Sequence, residues 1–376
     1  MKETAIYIHI PFCDHKCIYC DFYSIITTDN IISYKTALIK EINDYADLYS
    51  EDSSISSIYF GGGTPSLMEP GYLEEILNHI KRRFAVVDAP EITMETNPGT
   101  VNKDKLKEFL NSGINRISIG IQSFNEDELK FLTRIHDKQT AIRTVFNAKE
   151  AGFNNVSIDL IFNLPGQTKK IWTNNLDIAA SLPIQHISAY SLILEKGTIL
   201  NKMVLDGRVK IREDDYDADL YEITIDFLEQ NGFKQYEVSN FAKPGYECIH
   251  NNAYWRYKNY LGFGTSAHSF VNNKRWWNYS SLKMYKTQIE VMGSAESNHE
   301  IITPEQNIEE YIMLALRSYG IEIPDLEKRF GKEWLNRNNK YLRLLNDNKL
   351  IDITDNWIKL TKRGYAICDE IIAKFE

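Results

Sequence analysis

Three cysteines near the N-terminus are spaced closely enough to hold one metal cofactor together. Cys13, Cys17 and Cys20 directly follow a strand-like run and have the spacing C-x3-C-x2-C. Thiolates are the usual protein ligands of iron–sulfur clusters. Three of them leave one iron of a four-iron cluster without a protein ligand, so that iron can bind an exchangeable small molecule. The spacing therefore predicts a [4Fe–4S] cluster with one open iron.

A structural zinc site is the alternative for the same loop. His15 lies between the first two cysteines and could act as a fourth ligand. Structural zinc sites are closed by four ligands that typically come as two separated pairs, and this sequence has no second pair. The chain has five cysteines, an odd number that also disfavours a disulfide framework. The cluster is therefore the favoured interpretation.

The first two-thirds of the chain alternates short β-branched runs with longer helical patterns. Six strands are predicted, at residues 5–10, 56–60, 91–95, 116–122, 157–162 and 186–192. Helices are predicted between them, at residues 34–49, 72–84, 103–111, 139–151 and 169–181. This alternation is typical of βαβ units and a parallel sheet. Six units are too few for a closed eight-fold barrel, so we expect an α/β fold with a partial (β/α)6 barrel.

Polar residues and glycines follow the predicted strands at the point where each strand ends. They comprise the cysteine loop, the GGGT segment at residues 61–64, Glu95, Gln122 and Asp159. In parallel α/β sheets, functional groups collect at the carboxyl ends of the strands. We therefore expect these residues to face a common site.

The cysteine loop resembles a known family. C-x3-C-x2-C with an aromatic residue, Tyr19, before the third cysteine is the signature of radical S-adenosylmethionine (SAM) enzymes. The string YIHIPFC, from Tyr7 to Cys13, resembles the oxygen-independent coproporphyrinogen III oxidase group, which includes the oxidase HemN and the heme chaperone branch HemW. The resemblance covers nearly the whole chain. It implies that SAM binds the open iron, and that a reduced cluster can cleave SAM to methionine and a 5′-deoxyadenosyl radical.

The same resemblance implies a set of SAM contacts. Gly62, Gly63 and Thr64 of GGGTP would receive the amino group through backbone contacts, which glycine permits at close range. Gln122 and Asp159 would reach the ribose, and Arg134 would bind the carboxylate, a pairing that suits a guanidinium group. The full set of implied contacts is Tyr7, Tyr19, Gly62, Gly63, Thr64, Glu95, Gln122, Arg134, Asp159 and Ala189.

Three features distinguish the two branches of this group. Asp21 and Phe22 follow the third cysteine, where the oxidase has Gly-Cys, and only six residues precede Tyr7. The segment HNNAYW at residues 250–255 matches the HNxxYW motif of HemW. The resemblance therefore favours a heme chaperone that transfers heme to an acceptor protein. The alternative is a coproporphyrinogen III dehydrogenase that decarboxylates porphyrinogen propionates, and whether SAM is cleaved is left open.

Two histidines are the candidate heme ligands. Neutral imidazole is a common axial ligand, and aromatic residues that could enclose a macrocycle surround both His250 and His268. The alternative for each is a structural histidine held by hydrogen bonds, and His268 could instead line the active cavity. The implied cofactors are thus a [4Fe–4S] cluster, SAM and heme.

The sequence divides into three predicted segments. Residues 1–212 form the radical SAM barrel, 213–302 a β extension with the HNxxYW motif, and 303–376 a helical, winged-helix-like module. The net charge of −9 argues against nucleic acid as a partner. The chain has no apolar run of about eighteen residues and no signal-peptide pattern, so a cytoplasmic protein is expected. The acceptor protein, an electron donor and any contact with a membrane surface are left open.

Overall fold

A computed structural model describes residues 1–211 and 214–375. Its strands are β1 (Lys2–Ile10), β2 (Ser53–Gly62), β3 (Ala85–Thr96), β4 (Arg116–Gln122), β5 (Val156–Phe162), β6 (His186–Ser191), β7 (Lys234–Glu237), β8 (Asn240–Ala242), β9 (Asn259–Phe263), β10 (His268–Val271), β11 (Lys274–Asn278), β12 (Glu296–Ile301), β13 (Ile321–Glu322), β14 (Ile351–Ile353) and β15 (Trp357–Leu360).

The helices complete the alternating pattern. They are α1 (Ile31–Tyr49), α2 (Pro70–Arg83), α3 (Lys103–Asn111), α4 (Glu126–Phe131), α5 (Lys138–Ala151), α6 (Lys169–Ser181), α7 (Ile199–Leu205), α8 (Asp214–Gln230), α9 (Ile249–Trp255), α10 (Leu282–Met292), α11 (Pro304–Leu316), α12 (Ile323–Phe330), α13 (Glu333–Asp347), α14 (Lys362–Ala366) and α15 (Cys368–Ile372). In the described chain, none of them combines the length and apolarity needed to cross a membrane.

Strands β1 to β6 are parallel and neighbour one another in sequence order, as the partial barrel requires. All six predicted strands are present, with ends that differ mainly at the amino side. The middle segment of the chain extends this sheet at both edges. Strand β9 pairs parallel with β1 and carries β10 to β12 outward, whereas β8 pairs antiparallel with β6 and is followed by β7.

The two-residue period of a strand separates the apolar core from the barrel interior. On β4, Ile117, Ile119 and Ile121 are fully buried in the main hydrophobic core. The alternate residues of the same strand, from Arg116 to Gln122, line an interior cavity. The apolar face therefore holds the helices on the sheet, while the opposite face is free to carry polar groups.

A second core belongs to the C-terminal module. Helices α11 to α15 and the small sheet β13-β15-β14 bury Tyr311, Leu316, Trp334 and Leu342 together. Strands β14 and β15 pair antiparallel as a hairpin, and the longest helix of the module, α13, runs for 15 residues. The division into three segments stays a prediction, and its first boundary, at 212/213, lies outside the described residues.

One buried carboxylate links the β extension to the barrel in addition to the strand pairing. Glu41 on α1 accepts hydrogen bonds from the Gly264 N–H (2.8 Å), the Asn278 side-chain amide (2.6 Å) and the Tyr285 hydroxyl (2.6 Å). Burial raises the pKa of Glu41 to about 7, although the three donors act in the opposite direction. The carboxylate joins three separate parts of the extension to the first helix of the barrel.

Candidate functional site

A cavity of about 370 Å³ lies inside the barrel and extends to the cysteine loop. The structure brings most of the predicted site residues to its wall. Those lining it are Cys13, Cys17, Cys20, Tyr19, Gly62, Gly63, Glu95, Gln122, Arg134 and Asp159. Tyr7, Thr64 and Ala189 do not line it. Residues that are far apart in the sequence therefore share one cavity.

The cysteine loop forms one end of the cavity. All three cysteines are free thiols, and the Cys13 Sγ lies 3.5 Å from the Thr64 hydroxyl. Burial raises the pKa of the Cys13 thiol and raises that of Cys20 to about 11. A bound metal centre lowers the pKa of a coordinating thiol and deprotonates it, so metal binding opposes the rise in pKa that burial causes. Three thiols on one short loop, facing a cavity, fit the ligand set of a four-iron cluster.

The same loop does not have the geometry of a single-ion site. Within residues 1–211 and 214–375, no group of three or more His, Cys, Asp or Glu side chains is gathered as if around one metal ion. A zinc ion would require its ligands to converge on one point. In a four-iron cluster each thiolate binds a different iron, so the sulfur atoms need not converge. Three thiols match the number of protein ligands that a four-iron cluster with one open iron takes.

The glycines at the carboxyl end of β2 lie too close to their neighbours to carry side chains. Gly62 has a φ of 112°, and a Cβ there would lie 2.6 Å from the ring of His9. A Cβ on Gly63 would lie 2.6 Å from the carbonyl oxygen of Phe12. Glycine is required at both positions, because only a bare backbone can pass this close to β1 and to the cavity.

Two carboxylates face each other across the cavity. Glu95 accepts hydrogen bonds from the Tyr59 hydroxyl (2.9 Å) and the Gly62 N–H (3.1 Å), and Asp159 accepts one from Ser118 (3.1 Å). Burial, followed by the charge of Asp159, raises the pKa of Glu95 to about 7. Burial also raises the pKa of Asp159. Two enclosed acids that repel each other favour a cationic ligand between them.

A guanidinium group completes the upper wall. Arg134 donates to the Asn97 side-chain oxygen (2.6 Å) and the Gly120 carbonyl (2.6 Å), and its Nη1 lies 3.5 Å from the Cys17 Sγ. Its Nε is buried and has no partner among the described residues. An unused donor on the cavity wall suits a carboxylate group of a ligand.

Sequence reasoning missed some residues of this cavity. Asn97 joins the Thr64 hydroxyl (2.9 Å) to Arg134, and its position just after the end of β3 could have identified it. Arg116, His186 and Asn251 line the floor. Arg116 and His186 are the first residues of their strands, so the rule that functional groups follow the carboxyl ends of strands does not identify them. Asn251 lies on α9, which is far from the barrel strands in the sequence.

The two candidate heme ligands lie outside the cavity wall. His250 is buried, with its Nδ1 3.0 Å from the Ser57 hydroxyl and its Nε2 2.9 Å from the Tyr254 hydroxyl. Burial lowers the pKa of His250 to about 3, so the ring is neutral. His268 is exposed, and its ring stacks on Trp277 at a centroid distance of 5.6 Å. In this structure both nitrogens of His250 are occupied, whereas His268 is accessible.

Comparison with known proteins agrees with this geometry. The sequence matches the Radical SAM superfamily over residues 7–176 and the HemN C-terminal domain over residues 302–367. The fold is similar to that of coproporphyrinogen III oxidase HemN from Escherichia coli, with a TM-score of 0.84 and 24% identity, over 100% of this chain and 90% of that one. The chain is thus a radical SAM protein, with the parallel sheet and cysteine loop of that class.

Sequence similarity to relatives identifies the family within the radical SAM class to which the chain belongs. The chain is 35% identical to the heme chaperone HemW of Bacillus subtilis, over 99% of this chain and 98% of the relative. It is 39% identical to the heme chaperone HemW of Escherichia coli, over 72% and 71% of the two chains. The protein belongs to the HemW family.

The glycine requirement can be tested directly. Gly62→Ala should lower the free energy of unfolding by about 2 kcal/mol, because it combines a positive φ with a contact to the His9 ring. The measurement is chemical denaturation followed by circular dichroism. Gly71→Ala on α2 is the matched control, since a Cβ there meets nothing within 4 Å. Equal stability of the two variants would contradict the close-approach argument.

Proposed function

We propose that this protein is a heme carrier that binds heme and a SAM-ligated [4Fe–4S] cluster and passes heme to an acceptor protein. The observation that carries the proposal is similarity over nearly the full chain to proteins named heme chaperones. The cavity supports the cluster and SAM part of the proposal, because it gathers the cysteines and most of the implied SAM contacts into one space.

The residues of this chain would divide the work of holding the cofactors. Cys13, Cys17 and Cys20 would bind three irons, and when bound the cluster and SAM supply one-electron chemistry. Glu95 would accept hydrogen bonds from the ammonium group of SAM, and the bare backbone around Gly63 would admit it. Each role uses a group that already faces the cavity.

Further SAM contacts would come from the remaining strands. Gln122 and Asp159 would hold the ribose, Arg134 the carboxylate, and the backbone of Ala189 the adenine side. Tyr7 and Tyr19 would flank the cluster, and Thr64 would support Cys13 through its hydroxyl group. Enclosure in the barrel would shield the bound SAM from water.

Coproporphyrinogen III dehydrogenase activity is the second candidate. The shared fold with HemN and the match to the HemN C-terminal domain favour it. Phe22 after the cluster loop and the HNNAYW segment favour the carrier instead. We further propose that the carrier acts in the cytoplasm, receives electrons from a donor protein if it cleaves SAM, and does not bind nucleic acid.

One experiment separates the two functions. The cluster is reconstituted anaerobically, and the protein is given SAM, a reductant and coproporphyrinogen III, or is titrated with heme. We expect stoichiometric heme uptake, seen as a Soret band, without formation of protoporphyrinogen IX. Turnover of the porphyrinogen would overturn the carrier proposal and establish the second candidate.

The cluster ligands can be tested by single substitutions. Cys17→Ala should abolish the broad visible absorbance of the reconstituted four-iron cluster, because a ligand that faces the cavity is lost. Cys368→Ala is the matched control, since that thiol is buried in the C-terminal core and should leave the absorbance unchanged. Retention of a four-iron cluster in Cys17→Ala would show that the ligand set is wrong.

The imidazole of His268 is exposed, whereas both ring nitrogens of His250 are hydrogen-bonded, so we expect substitution of the two histidines to have different effects. His268→Ala should weaken heme binding at least tenfold if that exposed imidazole is the axial ligand. His250→Ala should mainly lower the melting temperature, because it breaks bonds to Ser57 and Tyr254 inside the protein. Heme titration and thermal unfolding of both variants provide the comparison. Loss of the Soret shift only in His250→Ala would reverse the assignment.

A further inference from the structure

The C-terminal module carries a groove that is distinct from the barrel cavity. Its volume is about 820 Å³, against about 370 Å³ for the cavity, and no described residue lines both. Residues of α11, the end of α12, the first half of α13 and the segment 372–375 line it. We call it the C-terminal groove. Nothing in the binding of a cluster or SAM uses it.

The floor of the C-terminal groove is apolar. Along α11 the lining residues fall at positions 305, 308, 309, 312 and 313, which form one face of a helix. Ile308, Ile312 and Met313 supply the apolar part of that face. Phe330, Trp334 and Phe375 complete the floor. Apolar side chains that line an open groove with a polar rim mark an interaction site.

The rim of the groove is rich in acids. Four glutamates line it, namely Glu305, Glu309, Glu310 and Glu333. Glu310 is already paired, since it accepts two hydrogen bonds from Arg275 (2.6 and 3.0 Å) and one from the Tyr257 hydroxyl (2.9 Å). The other three are exposed, and none of them has an ion-pair partner in the described part of the chain.

Two arginines also line the groove, so its charge must be counted in full. Arg329 pairs with Asp325 (2.8 Å) and lies over the Tyr311 ring at 5.4 Å. Arg337 is exposed and, within residues 1–211 and 214–375, has no ion-pair partner. Four acids thus face two bases, and without the paired Glu310 and Arg329 three acids face one base. The groove carries a net charge of −2 by either count.

One strand connects this groove to the exposed candidate heme ligand. Glu310 on α11 binds Arg275 on β11. Arg275 and Trp277 are two residues apart, so they lie on the same face of the strand, about 7 Å from each other. Trp277 stacks on His268. A partner bound in the groove would therefore lie close to His268.

We propose that the C-terminal groove binds a basic amphipathic helix of the acceptor protein. The apolar face of such a helix would cover the aromatic floor, and its lysine or arginine side chains would pair with Glu305, Glu309 and Glu333. The lining face of α11 spans about 12 Å at 1.5 Å per residue, which accommodates about two turns of a bound helix. This inference rests on the carrier function proposed above and adds the kind of partner that receives the heme.

The charge of the groove disfavours two other occupants. Heme carries two propionate groups, which would meet three acids without ion-pair partners and only one such base. A second copy of this chain has a net charge of −9, so its surface is on average repelled by an acidic rim. A basic segment is the occupant whose charge complements the groove.

The test uses three synthetic peptides of equal length that carry a fluorescent label. One is an amphipathic Leu/Lys helix, the second has the same composition in an order without an apolar helical face, and the third is an amphipathic Leu/Glu helix. Binding to the full chain with its cluster reconstituted is followed by fluorescence anisotropy in the absence of heme. We expect the amphipathic Leu/Lys peptide to bind most tightly, and its affinity to fall as the salt concentration rises.

Substitutions locate the binding. Glu305→Lys combined with Glu309→Lys should weaken binding of the Leu/Lys helix at least tenfold, because two attractive charges become repulsive. Asp104→Lys combined with Glu108→Lys is the matched control and should have little effect. It makes the same charge change at exposed positions four residues apart on α3, and both pairs begin in the first turn of their helix. Ile308→Gln should weaken binding through the floor without a change of charge.

Each outcome has a distinct meaning. Docking is overturned if the unsubstituted protein binds no peptide, if another peptide binds as tightly as the Leu/Lys helix, or if the α11 double variant binds it as tightly as the α3 control. Loss of heme uptake in the α11 double variant would assign the groove to heme. A dimer in sedimentation that this variant dissociates would assign it to a second copy, and either result would also overturn docking.

Two further controls keep the outcomes separate. If the α11 double variant does not fold by circular dichroism, Ile308→Gln decides the question, and an unchanged affinity in that variant would overturn docking. If the unsubstituted protein takes up no heme, the carrier function fails by itself, because peptide binding is measured without heme.

Discussion

The need to balance buried charge governs the interior of this protein. Most of the free energy of folding comes from the outer face of the sheet, where isoleucines and leucines pack under the helices. The inner face carries Glu91, Glu95, Arg116, Arg134 and Asp159 instead. Burying charges around a cavity costs desolvation free energy, and binding of a polar ligand can offset that cost. The strands therefore act as a scaffold for charges more than as a second core.

The HNNAYW segment acquires a structural meaning from this arrangement. As α9, it closes the amino end of the barrel, and Glu91 holds its first backbone amides. His250 is fixed between the hydroxyl groups of Ser57 and Tyr254. Just beyond the helix, Tyr257 donates to Glu310 in the C-terminal module. Helix α9 and the residue that follows it closely, Tyr257, therefore connect the cavity, the barrel strands and the C-terminal module. These contacts give the residues of this segment specific structural roles.

Much of the fold could be predicted because it depends on short-range patterns. The spacing of Cys13, Cys17 and Cys20, the β-branched runs and the glycines of GGGT specified a partial barrel with its site at the strand ends. Boundaries were less accurate: β3 begins at Ala85 instead of residue 91, because its first residues pair with β2 and no local pattern reveals that pairing. Family resemblance, not spacing, supplied the residues that would contact SAM.

The sequence by itself determined the class of cofactor and the order of the parallel strands. Both follow from the chemistry of residue types and from the periodicity of strands and helices. Only the tertiary structure showed that Arg116, His186 and Asn251 share a floor, that His250 has both ring nitrogens occupied, and that Asn97 supports Arg134. These relations join residues from distant strands and helices. They depend on which side chains the closed sheet directs inward, and that is fixed by packing in three dimensions.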